Sequence, residues 1–138
     1  MTLLRWILAI VLAIFFVIMG VQKLTGPSPV FQYIAEHSGM AFFEPQVRLA
    51  TGAAEITAAV LILVPRTRIL GTLLALAVLG GALAFHLSPW LGINAPVRFA
   101  ENGGYVKSPM LFIMALSFLF ASLGLLLVEM GEWLQGRA

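Results

Sequence analysis

Four ionisable side chains, Lys23, Arg48, Glu55 and His86, lie within or at the edges of long apolar runs. A carboxylate, an imidazole and two cations brought together in such surroundings can hold a polar headgroup or hand on a proton. Glu55 is the most demanding of the four, because it interrupts the apolar run from Val47 to Val64. Eight residues separate it from Val47, so a helix rising about 1.5 Å per residue carries it roughly 12 Å into a bilayer core about 30 Å thick. A charge at that depth costs a few kcal/mol even on forgiving insertion scales, and it is normally turned toward a protein interior, a cavity or a partner.

The elements that must position these groups are membrane-spanning helices. Of the 138 residues, 61% are hydrophobic and only 10% charged, with a mean hydropathy of +1.02. Soluble domains carry about 25% charged residues, so this composition is that of an integral membrane protein. Residues 1–138 have room for a single transmembrane domain. The net charge of +2 is spread along the chain, without the basic tract that nucleic-acid binding requires. Cysteine is absent, which excludes dithiol exchange, iron–sulfur ligation and thiolate zinc within this chain. With His37 and His86 as the only histidines, no self-contained metal site is expected and no cofactor motif is evident.

Four spans are expected at about 6–21, 47–64, 69–87 and 110–128, each near the length that crosses a bilayer. The predicted fold is therefore all-α, a four-transmembrane-helix bundle. Arg5 ahead of an apolar core resembles a signal peptide, but no small-x-small cleavage site follows, so the first run is read as a retained helix. Ser108-Pro109 reads as a cap and first-turn proline for the last span. Four spans place both termini on one side, and the dense Pro65-Arg66-Thr67-Arg68 turn, with Arg5 and Arg137, marks that side as cytoplasmic. Arg66 and Arg68 are the topology residues.

Two longer connections then lie on the outer face. In the first, Ser28-Pro29 signals a helix start and Gly39 its stop. Val30, Phe31 and Ile34 form one apolar edge, as in a short interfacial helix lying over the bundle. The second carries Trp90, Tyr105 and the turn signal Asn102-Gly103-Gly104. Trp6, Trp90 and Trp133 fit the aromatic belt at the membrane surface.

At 100° per residue, Arg48, Thr51 and Gly52 share the face of Glu55 on span two, while Arg68, Thr72, Ala75, Ala82 and His86 share one on span three. On span one Arg5, Met19, Gly20 and Lys23 fall together. Ser117, Ala121 and Gly124 make a small-residue stripe on span four suited to packing. Lys23, Arg48, Thr51, Glu55 and His86 are thus the candidates for ligand binding or proton handling, in a pocket opening outward. Plainer roles fit the same residues: Glu55 and Arg48 as a structural ion pair, Lys23 and Arg48 as headgroup anchors, His86 and His37 as ordinary interfacial groups. Ala77-x-x-x-Gly81 and Gly80-x-x-x-Ala84 offer surfaces for close helix packing in a homodimer.

In order and placement, Phe16-x-x-x-Gly20-x-x-Lys23-Leu24, Gly52-x-x-Glu55, Arg66-x-Arg68 and Ala82-x-x-x-His86-Leu87 resemble the DoxX and DoxX-like family of small four-helix membrane proteins. The resemblance implies a bacterial or archaeal cytoplasmic membrane and a subunit of, or partner to, a membrane oxidoreductase system such as thiosulfate:quinone oxidoreductase. More distant relatives act as assembly factors or chaperones. Under the redox reading, Glu55 and His86 would hydrogen-bond a quinone headgroup or relay its protons, and electrons would come from a partner subunit. A stand-alone enzyme is not expected. A non-catalytic scaffold and a small-solute transporter are the alternatives.

Overall fold

The computed structural model describes residues 2–136; Arg137, one of the expected orientation markers, lies outside them. The chain forms α1 (Thr2–Thr25), α2 (Pro29–Ser38), a 3₁₀ turn (Ala41–Phe43), α3 (Gln46–Leu63), a second 3₁₀ turn (Pro65–Thr67), α4 (Arg68–His86), a hairpin of β1 (Ala95–Phe99) and β2 (Tyr105–Ser108), and α5 (Met110–Leu134). Four segments are long and apolar enough to cross a membrane: Leu3–Thr25, Ala41–Leu63, Pro65–His86 and Met110–Leu134. The expected spans are all present, and the first and last run several residues further than their apolar cores.

The four long helices run alternately up and down, each packed on two antiparallel neighbours, so α1, α3, α4 and α5 close a ring. Inside it, Leu12, Phe16, Ile62, Leu79 and Leu125 are buried. Outward, Ile14, Val60, Leu70, Phe120 and Leu127 are exposed apolar side chains, the surface that lipid tails cover. The alternation follows from short connections. The tightest, Val64–Thr67, folds α4 straight back along α3, with the Thr67 hydroxyl donating to the Leu61 carbonyl at 2.9 Å.

Closest approach occurs between α1 and α3, where Gly20 faces Gly52. A Cβ on Gly20 would lie 2.8 Å from Ile56, and one on Gly52 would lie 3.0 Å from the Cβ of Lys23. Only hydrogen fits at either position, and the contact brings Lys23 onto the α3 face that carries Glu55.

One end of the ring is capped. Helix α2 begins after Ser28 with Pro29 in its first turn and ends at Gly39 in a left-handed conformation (φ 76°), where expected. Its buried Phe31 and Ile34 meet Phe43, Leu91 and Ala95 in a small second core. The hairpin was not predicted beyond its turn. β1 and β2 pair antiparallel with an irregularity between Pro96 and Arg98, and Gly104 N–H donates to Asn102 Oδ1 at 3.1 Å within the turn. The cap is latched by polar contacts between α2 and β2: Tyr105 donates to Glu36 at 2.5 Å, and Lys107 donates to the Tyr33 hydroxyl at 2.9 Å. Burial, with the Glu36 carboxylate beside it, pushes the Tyr105 phenol up to about 12.

The opposite end, carrying the described N- and C-terminal helix ends, holds a feature the sequence reading missed. Glu129 is 1% exposed and accepts a forked pair of hydrogen bonds from Arg5, 2.7 Å from Nε and 3.0 Å from Nη2. Arg68 Nη1 reaches the same carboxylate at 3.2 Å, its Nε donates to the Ile62 carbonyl at 2.7 Å, and its guanidinium stacks 4.3 Å over the Trp6 ring. Arg68, expected to mark topology at a surface turn, is instead fully buried as the tie between α1, α4 and α5, whereas Arg66 is exposed as expected. The small-residue stripe on α5 packs in part: Ala121 lies against the core and Gly124 beside Leu8 of α1. Ser117 is exposed, and the packed face is Ala115, Ser122, Leu125 and Glu129. At the start of α5, Pro109 rather than Ser108 is the capping residue, and the Ser108 hydroxyl accepts from Met110 N–H at 3.1 Å.

Candidate functional site

Beneath the cap, the ring of helices does not close on itself but leaves a cavity of about 670 Å³. Every helix and β1 contribute to its wall. Most of that wall is apolar, from residues such as Phe15, Val78, Phe85 and Met114, and its polar groups include Gln22, Lys23, Thr51, Glu55 and His86. Four of the five sequence candidates therefore meet in one space. The apolar wall with few convergent polar groups is the usual make-up of a small-molecule site.

Glu55 is 4% exposed. Its partner is Lys23, whose Nζ stands 2.9 Å from Oε1. The two form a buried ion pair, and Oε1 is shielded within it. Lys23 has three N–H donors and presents only one charge contact to Glu55. The pair thus offers both an acceptor and donors to whatever enters the cavity.

His86, at the last residue of α4, is buried with Nδ1 3.0 Å from the Gly92 carbonyl. A carbonyl can only accept, so Nδ1 carries the proton of that contact and Nε2 is left as the ring's reactive nitrogen. The ring sits edge-on to Phe112, with centroids 5.7 Å apart. These contacts fix its orientation, as a second partner fixes a functional imidazole.

Arg48 is the candidate that the structure places elsewhere. It is not in the cavity wall, and it does not reach down α3 to Glu55. Its Nε donates to Glu44 at 2.5 Å, and its Nη1 donates to the backbone carbonyl of Lys23. Glu44 also accepts from Ser28 N–H at 3.0 Å. Arg48 therefore joins the end of α1, the start of α2 and the start of α3, and holds the Lys23 backbone over the site. The expected Glu55–Arg48 pair is replaced by Lys23–Glu55 because Gly20 and Gly52 bring α1 so close that the lysine arrives first.

The missed carboxylate, Glu129, had a readable signal. Ser122, Leu125 and Glu129 are spaced as one helical face, and the topology puts Arg5 and Arg68 at the same bundle end. An apolar span of 110–128 stops one residue short of it.

Compared with known proteins, residues 7–97 match the model of the DoxX-like family. That stretch holds Lys23, Glu55, Arg68 and His86, but not α5 with Glu129. No curated protein and no solved structure matches the chain.

Proposed function

Because this chain is a membrane protein that belongs to the DoxX-like family, we propose that it is the ligand-binding membrane subunit of an oxidoreductase system, with a quinone as the ligand. The observation that carries the reading is the apolar cavity of about 670 Å³ with Lys23, Glu55 and His86 in its wall. Its size suits a single drug-sized molecule. A quinone headgroup has two carbonyl oxygens, which take hydrogen bonds from donors such as the Lys23 ammonium. Its reduced form has two hydroxyls, which donate to acceptors such as the Glu55 carboxylate and His86 Nε2. The same three residues therefore serve both redox states.

Reduction of a quinone takes two electrons and two protons. Here the partner subunit supplies the electrons, and Glu55 and His86 pass the protons. Lys23 keeps a charge opposite Glu55 while the carboxylate is ionised. We orient the cap toward the outside of a bacterial or archaeal cytoplasmic membrane. Exposed Arg66 at the α3–α4 turn carries this orientation, since Arg5 and Arg68 are engaged by Glu129.

A scaffold reading draws on the ion pairs, since Lys23–Glu55 ties α1 to α3 as Arg5–Glu129–Arg68 ties three helices at the far end. One experiment separates the two. Protein purified from native membranes is extracted with solvent and its quinone counted. The ligand reading expects quinone approaching one per chain in wild type and its loss in a folded Lys23→Met variant. No enrichment over bulk lipid in wild type would leave the scaffold reading standing alone.

A further inference from the structure

The helical hairpin of α3 and α4 is closed at one end and open at the other. Near the connecting turn the helices touch: a Cβ added to Gly71 would lie 2.7 Å from the Ile62 backbone nitrogen and 2.8 Å from the Leu61 side chain. Stepping along the antiparallel pair toward the cap brings Ala54 opposite Ala77, then Ala50 opposite Gly81. There a Cβ on Gly81 would find nothing within 4 Å. Ala50, Ala77 and Gly81 are at once exposed and part of the cavity wall. Along this seam the cavity wall is therefore built of small, exposed residues, with no side chain large enough to close a gap.

The depth of the gap decides what can use it. Gly81 and Ala77 lie five and nine residues before His86 at the cap end of α4, or roughly 8 and 14 Å down the helix at about 1.5 Å per residue. That level lies in lipid hydrocarbon within a core about 30 Å thick. A water-soluble molecule does not arrive from that direction. Independently of the small residues, the cavity wall holds a polar group that calls for an occupant: His86, 5% exposed, whose Nδ1 is taken by the Gly92 carbonyl while Nε2 meets no partner among the described residues.

We propose that the gap between α3 and α4, framed by Ala50, Ala54, Ala77 and Gly81, is a lateral portal through which a membrane-dissolved, single-headed amphiphile enters the cavity. The inference rests on the reading of the cavity as a ligand site, not on the quinone assignment. The occupant's head meets Lys23 and Glu55, and its tail trails through the portal into the leaflet on the cap side. A headgroup that offers a hydrogen-bond donor finds an acceptor in His86 Nε2. Soluble ions are excluded by the route.

The chain has no cysteine, so a single reporter thiol is clean. Ala82→Cys places one in the half-buried cavity wall. In proteoliposomes it is challenged with pyrenylmaleimide, which partitions into the bilayer, and with a charged methanethiosulfonate, which stays in water. The portal requires faster modification by the lipid-soluble reagent. It also requires that Gly81→Phe, or Ala50→Phe on the facing wall, slow that reaction by about tenfold or more, since access through a blocked path falls while the reagent's concentration in lipid does not. Pro27→Trp, at an exposed wall position near the cap, should leave the rate unchanged.

Faster reaction with the charged reagent, or rates indifferent to both phenylalanines, overturns the portal. So does a wild-type dimer whose dissociation by Gly81→Phe speeds labelling, because the gap would then be a seam between two copies. If the portal holds while no quinone co-purifies, the quinone assignment alone has failed.

Discussion

Replacing Lys23 by Met isolates the charge at the heart of the site. Methionine keeps the apolar stem that packs on Gly52, so the change removes the ammonium and little else. What remains is a Glu55 side chain 5% exposed and stripped of a partner at 2.9 Å. Removing one member of a buried ion pair costs about 3–5 kcal/mol. The carboxylate can escape part of this by taking up a proton, which puts the expected loss at about 3 kcal/mol. For a chain of this size that is a fall of about 10 °C in unfolding temperature. Glu55→Gln strands an ammonium whose side chain is 15% exposed and can lean toward the cavity mouth, so about 1–2 kcal/mol is expected. The double variant carries neither charge and should lose only about 1 kcal/mol. Unfolding of all four proteins in detergent, followed by circular dichroism, then gives a coupling energy of about 3–4 kcal/mol. Additive single losses, with coupling below about 0.5 kcal/mol, would show that no ion pair exists at this depth.

Four further outcomes follow from other parts of the fold. Glu129→Gln leaves Arg5 and Arg68 facing each other without a carboxylate, and a loss of about 3–5 kcal/mol should appear as a lower unfolding temperature with no change in quinone content. Gly20→Leu cannot be seated against Ile56 at 2.8 Å; overpacking of about 1–3 kcal/mol should push α1 from α3 and reduce bound quinone as well as stability. Tyr105→Phe breaks the bond to Glu36, and amide exchange in α2 and the hairpin should quicken while the bundle's does not. In wild type that same latch should respond to alkali. The phenol is held up to about 12 when folded and titrates near its ordinary value of about 10 once released. Its contribution is whole below about pH 10 and lost as pH rises through about 12, so cap exchange should accelerate over that window in wild type but not in Tyr105→Phe.

Much of the bundle was legible because lipid imposes simple rules. Apolar length locates the spans, and Pro29 and Gly39 bracket α2 through backbone preferences that need no tertiary partner. The α3 and α4 polar faces were also readable, since a helical projection shows which residues travel with Glu55 and His86. Partner choice was less accessible. Arg48 and Lys23 stand at similar heights, and only the Gly20–Gly52 contact, a matter of sub-ångström fit between two helices, decides in favour of Lys23. Arg68 reads as a surface charge beside Arg66 because the turn looks uniformly basic. The difference is one helical face, which points Arg68 at a carboxylate 61 residues away. The hairpin escaped because Ala95–Phe99 and Tyr105–Ser108 are short and irregular, and their pairing depends on packing against α2.

The central claim is that a quinone headgroup sits against Lys23 and Glu55 inside the bundle. Photolabelling with an azidoquinone in native membranes, followed by peptide mapping, tests it directly. The account expects adducts on cavity-facing residues of α1, α3 or α4, such as Met19, Thr51 or Ala82, competed by unlabelled quinone and absent in Lys23→Met. Adducts confined to lipid-facing positions such as Ile14, Val60 or Leu127, unaffected by competitor, would contradict it.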